Sequence, residues 1–166
     1  MFDLKPLSQE AIPGALGKAE RYRLLNEASE AESICLDVLR IDPDNQQALV
    51  ILLLALTDQF DQGSSSTVQQ AREVLPRLRD AYEGAYYAGI ICERRARARL
   101  RHGGPGSGAI AYEGFREAMS CYEKAELLRP PRNEDAVLRW NTCARFILAN
   151  PHLAVAPEER FEPDLE

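Results

Sequence analysis

The chain has 166 residues, of which 45% are hydrophobic and 28% are charged. This composition is typical of a globular domain that buries a core without disulfide or metal staples, and it excludes a disordered chain. The formal net charge of -6 argues against binding nucleic acid through the whole surface, although a local basic patch is compatible with it.

The first predicted elements are two helices, in ranges 9–25 and 26–45, after an N-terminal extension of residues 1–8. The second helix carries apolar residues three and four positions apart, which places them on one helical face. They are Ala31, Ile34, Cys35, Val38 and Leu39. Pro43 cannot continue that helix. We therefore expect a helical hairpin, which is too small to bury its apolar face alone.

The next predicted helix covers residues 45–60 and is apolar around most of its circumference, so we expect it to be central. After a loop that includes Ser65, Ser66 and Thr67, a further helix is predicted from Val68 to about Arg79. Pro76 lies inside this range. It removes a backbone hydrogen bond and should kink or shorten the helix.

Residues 80–101 form the longest predicted helix, and one narrow arc of it holds mostly small residues. They are Tyr82, Ala85, Gly89, Cys92, Ala96 and Leu100. A neighbouring helix could approach the backbone closely along this arc. Five arginines flank it, with Arg94, Arg97 and Arg101 on one side and Arg95 and Arg99 on the other.

The glycine-rich range 103–108 then ends the helix, and we expect a flexible loop there. Two more helices are predicted, at 109–128 before Arg129-Pro130 and at 134–149 before Pro151. From 151 to 166 the chain holds three prolines and five acidic residues, which favours an acidic mobile tail.

The four cysteines lie far apart in apolar helical surroundings, with no Cys-x-x-Cys pair. Small core residues are the better interpretation, and a zinc site has little support. We predict neither a metal nor a cofactor. The start of the chain lacks the pattern of a signal peptide, and no apolar run reaches the length of a membrane span. The expected location is therefore the cytoplasm, without a membrane partner.

The segments EAESICLDVLRIDPDN and EAMSCYEKAELLRPPRN share Glu-Ala-x-Ser, small apolar residues and a closing proline. This pattern resembles the second helix of a tetratricopeptide repeat. The positions that match it are Ala31 and Ala118, Cys35 and Tyr122, Val38 and Ala125, and Pro43 and Pro130. Ala19 and Tyr22 match the first helix of the first unit, and Gly89 that of the third.

The resemblance implies an all-α fold, a right-handed α-solenoid of about three antiparallel helix hairpins with a C-terminal helix. The repeat domain would cover 9–150, with units at about 9–45, 46–81 and 82–132 and the final helix at 134–149. In such a solenoid the first helix of each pair lines a concave surface, which holds an extended peptide or a partner helix.

The function that the resemblance implies is a non-catalytic scaffold that binds a protein or peptide partner in this groove. Its candidate residues lie on the predicted first helices of the units. They are Arg23, Leu24, Val50, Leu54, Asp58, Arg94, Arg97, Arg101, Asn141 and Arg145. Apolar contacts are expected at the centre of the groove and arginine contacts at its rim.

Two alternatives stay open. The basic helix from Arg94 to Arg101 could bind nucleic acid or phosphate, because guanidinium groups offer planar paired donors, although the net charge disfavours nucleic acid. An uncapped end near Trp140 could form a homodimer. No nucleophile with a base, paired carboxylates or metal set stands out in the sequence, so an enzyme is not expected.

Overall fold

The computed structural model describes residues 1–62 and 65–153. Within them the chain forms seven α-helices, which confirms the all-α prediction. They are α1 (Ile12–Leu24), α2 (Ala28–Ile41), α3 (Gln46–Asp58), α4 (Ser65–Val74), α5 (Ala81–His102), α6 (Ser107–Leu128) and α7 (Asp135–Ala149). Each helix packs against the next in antiparallel fashion, and α3 also contacts α1 and α5.

Local residue chemistry explains where these helices begin and end. The side chains of Asn45 and Asp80 cap α3 and α5, each accepting a hydrogen bond of 2.9 Å from the backbone N–H three residues on. Pro76 ends α4 at Val74, and a single 3₁₀ turn, Leu75–Arg77, follows. The predicted interruption at this proline is confirmed.

Three boundaries differ from the sequence prediction. Helix α4 begins at Ser65, where a loop was expected, and α6 begins at Ser107, inside the glycine-rich range. Residues 151–153, assigned from sequence to the tail, form a 3₁₀ turn whose Leu153 is fully buried. The acidic run that follows lies outside the described residues.

The buried apolar residues fall into two clusters. One surrounds α3, which buries eight of its thirteen residues and is central as predicted. The other lies between α5, α6 and α7. The half-buried Tyr87 of α5 packs against both, so α5 joins the two halves of the core.

Helices α5 and α6 approach closely along the small-residue arc of α5, as predicted. A Cβ atom added at Gly89 would overlap the ring of Tyr122, and one at Gly114 would lie 3.0 Å from Cβ of Ala96. Between the two helices, Gly103, Gly104 and Gly106 have φ values of 68°, 99° and 72°. Side chains rarely adopt such values, so the glycines permit this tight turn.

All four cysteines are free thiols, and Cys35 and Cys143 are completely buried. Burial raises the pKa of each of these two thiols to about 12. They act as small core residues. In the described part of the chain, no helix is long and apolar enough to cross a membrane.

Candidate binding surfaces on the two sides of α5

Alternate helices contribute charged side chains to one cavity of about 330 Å³. The lining comes from the C-terminal end of α3 and the residues after it, from α5 and from α7. It consists of Thr57, Asp58, Phe60, Asp61, Glu93, Arg94, Arg97, Arg101 and Arg139. We call this space the arginine cavity. Its lining has four arginines against three carboxylates, an excess of one positive charge.

Glu93 lies at the base of the arginine cavity and is 1% exposed. The Tyr122 hydroxyl donates a 2.7 Å hydrogen bond to its Oε2 atom, and Arg97 Nε donates one of 3.2 Å to Oε1. Arg139 Nε lies 3.5 Å from Oε2. A carboxylate is retained in the interior only when it is paired and hydrogen-bonded in this way.

The surroundings of Glu93 shift the pKa values of its neighbours. Burial and the adjacent carboxylate together raise the pKa of Tyr122. Burial lowers the pKa of Arg139, but Glu93 and nearby tyrosines outweigh it, so its net pKa shift is upward. Tyr122 therefore stays a neutral donor and Arg139 stays a cation at neutral pH.

A second group of ion pairs involves Asp58 and Asp61 of the cavity lining. Arg23 Nε of α1 donates a 2.8 Å hydrogen bond to Asp58 Oδ2 at the end of α3. Arg94 of α5 pairs with the other oxygen of Asp58, and Arg101 pairs with Asp61. The side chain of Asp58 thus connects α1, α3 and α5, although its two partners lie more than thirty residues away in sequence.

Arg97 is held by aromatic rings as well as by Glu93. Its guanidinium carbon lies 4.8 Å from the centroid of the Phe146 ring and 5.6 Å from that of Phe115. The negative face of an aromatic ring attracts a cation at such distances. The planar guanidinium is therefore held by a carboxylate and by two rings where it lines the arginine cavity.

The structure brings together Asp58, Arg94, Arg97 and Arg101 in the arginine cavity, with Arg23 bound to Asp58. The other predicted residues lie elsewhere. Leu24 is 84% exposed. Val50 and Leu54 are half-buried, each against one of the two core clusters. Asn141 and Arg145 do not line the arginine cavity. From α7 the residue that reaches the cavity is Arg139.

Sequence reasoning missed Arg139 and the central position of Glu93. The signal for Glu93 was available, since it precedes the arginine run and lies four residues before Arg97, the spacing of an ion pair on one helical face. No comparable signal marks Arg139, because its partner lies on another helix, across α6. Trp140, next to it, is half-buried and donates a 3.0 Å hydrogen bond to Glu123 of α6.

A groove of about 750 Å³ lies on the opposite side of α5, between α4 and α6. Its apolar lining includes Phe60, Val68, Ile91, Cys92, Ala96, Ala98, Ile110 and Gly114. Its polar lining consists of Ser65, Gln69, Arg72, Arg95, Arg99, His102, Glu113 and Glu117. We call this surface the α4–α6 groove. The five arginines of α5 are therefore divided between two sides of the helix, as predicted.

The described residues contain no cluster of three or more His, Cys, Asp or Glu side chains arranged to hold a metal ion. Comparison of the chain with protein-family models finds no match, and comparisons with curated proteins and with solved structures find none either.

Proposed function

We propose that this chain is a tetratricopeptide-like α-solenoid that acts as a non-catalytic interaction module and binds a peptide or helix of a partner protein. One observation carries the proposal. Two sets of ion pairs meet on α5 and line one cavity: Arg23 of α1 and Arg94 of α5 pair with Asp58 of α3, and Arg139 of α7 pairs with Glu93 of α5. In stacked helical hairpins the first helices of successive pairs share one face in this manner.

The chemistry of the arginine cavity favours a partner that carries carboxylates. Guanidinium groups donate several N–H bonds in one plane and bind carboxylates in pairs. The resident carboxylates of Asp58 and Asp61 occupy donors of Arg94 and Arg101, and a partner's acidic side chain would replace them. The sequence suggested an apolar centre for the groove, but arginines and carboxylates line this cavity, so the proposed central contacts are ionic.

The test is a selection from a displayed library of random 12-residue peptides on the immobilised full chain, followed by calorimetric measurement of Kd. We expect the retained peptides to be acidic and to bind the Arg94→Ala/Arg101→Ala variant about tenfold more weakly, since a lost charged contact costs at least about 1.4 kcal/mol. This variant leaves Glu93 and its partners intact.

The alternative, nucleic-acid or phosphate binding by the 94–101 range, uses the same experiment. A fluorescent oligo-dT of twelve nucleotides would then bind, with an affinity that falls steeply with salt. The Arg94→Ala/Arg97→Ala/Arg101→Ala variant would abolish that binding. Such a result, or a peptide selection in which nothing distinguishes the wild type from the double variant, would overturn the proposed function.

A further inference from the structure

The α4–α6 groove has an apolar interior formed by three helices. Ile91 and Ala98 of α5 lie at its floor, while Val68 of α4 and Ile110 of α6 lie on its walls. Helix α4 has 10 residues, whereas α5 and α6 have 22 each. Both α4 and α6 pack on α5, and the groove is the space left between them. Its volume is in the range that holds a ligand or one face of a peptide.

Three arginines on the α4 and α5 side of this groove have no acidic partner in the described part of the chain. Arg95 and Arg99 are four residues apart, on one face of α5, and Arg72 lies on α4. Among the described residues, no carboxylate lies within ion-pair distance of any of them. This differs from the arginine cavity, where Arg94, Arg97, Arg101 and Arg139 each have a carboxylate partner.

The other wall of the groove carries the opposite charge. Glu113 and Glu117 lie one helical turn apart on α6. A segment bound in the groove would therefore meet cations along one edge and carboxylates along the other. Complementary charges of this kind fix the orientation of a partner and exclude those with the wrong sign.

We propose that the α4–α6 groove binds an amphipathic helix of a partner protein. The apolar face of this helix would pack on Ile91, Ala98 and Ile110, with its acidic edge against Arg72, Arg95 and Arg99. An amphipathic helix offers apolar anchors three and four residues apart, which suits an open groove floored by one helix and walled by two. This site shares no arginine with the arginine cavity, so the inference stands apart from the proposed function.

The experiment is a selection from a displayed library of random 16-residue peptides on the full chain that carries Arg94→Ala/Arg101→Ala, so that acidic peptides of the arginine cavity are disfavoured. Each retained peptide is then titrated against wild type and three variants. The test variants are Arg95→Glu/Arg99→Glu and the milder Arg95→Gln/Arg99→Gln. The matched control is Arg40→Glu/Arg116→Glu, which makes the same change in net charge at exposed arginines outside the groove. Circular dichroism of each variant verifies that helix content is unchanged.

We expect this selection to retain peptides that also bind wild type and in which acidic residues adjoin apolar residues at helical spacing. The charge-reversed variant should raise their Kd at least about tenfold, the glutamine variant less, and the control within about twofold. The Arg94→Ala/Arg101→Ala variant should leave these Kd values unchanged, which separates failure of this inference from failure of the proposed function.

Three outcomes would overturn the inference. If the peptides bind wild type and the charge-reversed variant equally, or if none is retained, the groove is no acidic-helix site. Displacement of the peptides by oligo-dT would assign the groove to nucleic acid. Competition by a synthetic peptide with the sequence of residues 154–166, AVAPEERFEPDLE, together with selected peptides that bind only at millimolar concentration, would assign the groove to this chain's own segment.

Discussion

Helix α5 carries arginines to two sides of the molecule, and the two sides differ in what neutralises them. In the arginine cavity, Arg97 pairs with the buried Glu93 and stacks on Phe146. In the α4–α6 groove, Arg95 and Arg99 have no carboxylate partner among the described residues. The first set therefore serves the folded structure whether or not a partner is bound, whereas the second set contributes little to folding and is free to meet a partner.

The largest loss of stability is expected when the buried carboxylate of Glu93 is removed. Glu93→Gln keeps the shape of the side chain but leaves Arg97 and Arg139 without their counter-charge. We expect the free energy of unfolding to fall by about 3 kcal/mol or more, as when one partner of a buried ion pair is lost. Urea titration followed by far-ultraviolet circular dichroism measures this change.

The control for that substitution is Asp61→Asn, which removes the partner of Arg101 at the exposed end of the same cavity. Both side chains of this pair are largely exposed, 60% and 42%. Exposed pairs contribute about 0 to 1 kcal/mol. Equal losses of stability in the two variants would show that Glu93 is not the structural centre of the cavity.

A second change acts on the contact that places Tyr122 against Glu93. In Gly89→Ala the new methyl group would meet the Tyr122 ring, which is buried and bound to Glu93. Overpacking of this kind costs about 1 to 3 kcal/mol of unfolding free energy. Thermal and urea unfolding measure the loss.

Gly84→Ala is the matched control on the same helix, because a Cβ there would meet no described heavy atom within 4 Å. Alanine is the better helix former. This variant should gain stability by up to about 1 kcal/mol. A gain of stability in both variants would mean that α6 can shift away from α5.

Substitution of single arginines compares the two sides of α5 directly. Arg97→Ala loses a charged hydrogen bond and two cation–π contacts, so the unfolding free energy should fall by about 1 to 2 kcal/mol. Arg95→Ala loses no described partner, and a change within about 0.5 kcal/mol is expected. Similar effects in the two variants would remove the distinction between a structural side and a free side.

The smallest expected effect is a loss of stability at high pH. Tyr122 has an ordinary pKa of 10.0, and its pKa is raised in the folded chain. Above pH 10 the unfolded chain loses this proton while the folded chain keeps it, so the unfolded state binds fewer protons and stability falls as the pH rises. The share of Tyr122 is about 1 kcal/mol between pH 10 and pH 11.

Tyr122→Phe identifies that share, since phenylalanine cannot ionise. Urea unfolding at pH 10 and pH 11 should show a shallower loss of stability in this variant than in wild type. Tyr86 and Tyr87 also have raised pKa values through burial, so part of the alkaline loss will remain. An unchanged slope would mean that the Tyr122 hydroxyl is not protected in the folded chain.

Most helix boundaries could be predicted because the signals for them are local. Pro43, Asn45 and Asp80 act on backbone groups within a few residues. The start of α4 at Ser65 could not be predicted, because serine and threonine favour caps and turns in isolation. There the packing of Ala71 and Val74 into the α3 cluster outweighs the local preference.

The candidate sites could also be predicted only as far as local sequence signals determine them. Helical spacing alone divides Arg94, Arg97 and Arg101 from Arg95 and Arg99, and this division was visible in the sequence. The partners of Arg94 and Arg101 were not, because Asp58 and Asp61 lie on other elements and come near only through tertiary packing. The same holds for Arg139, which pairs with Glu93 from another helix. The shape of the α4–α6 groove depends on the distance between two helices, which no pattern in the sequence states.

The glycine turn between α5 and α6 has a consequence for the order of folding. Residues 103–106 close a hairpin of two 22-residue helices, and so short a connection costs little chain entropy to close. Contacts close in sequence form fast. We expect the α5–α6 hairpin to be the early folding unit, so Glu93 meets Tyr122 and pairs with Arg97 before α7 brings Arg139 to it. The docking of α7 then adds a second cation beside a carboxylate that is already paired.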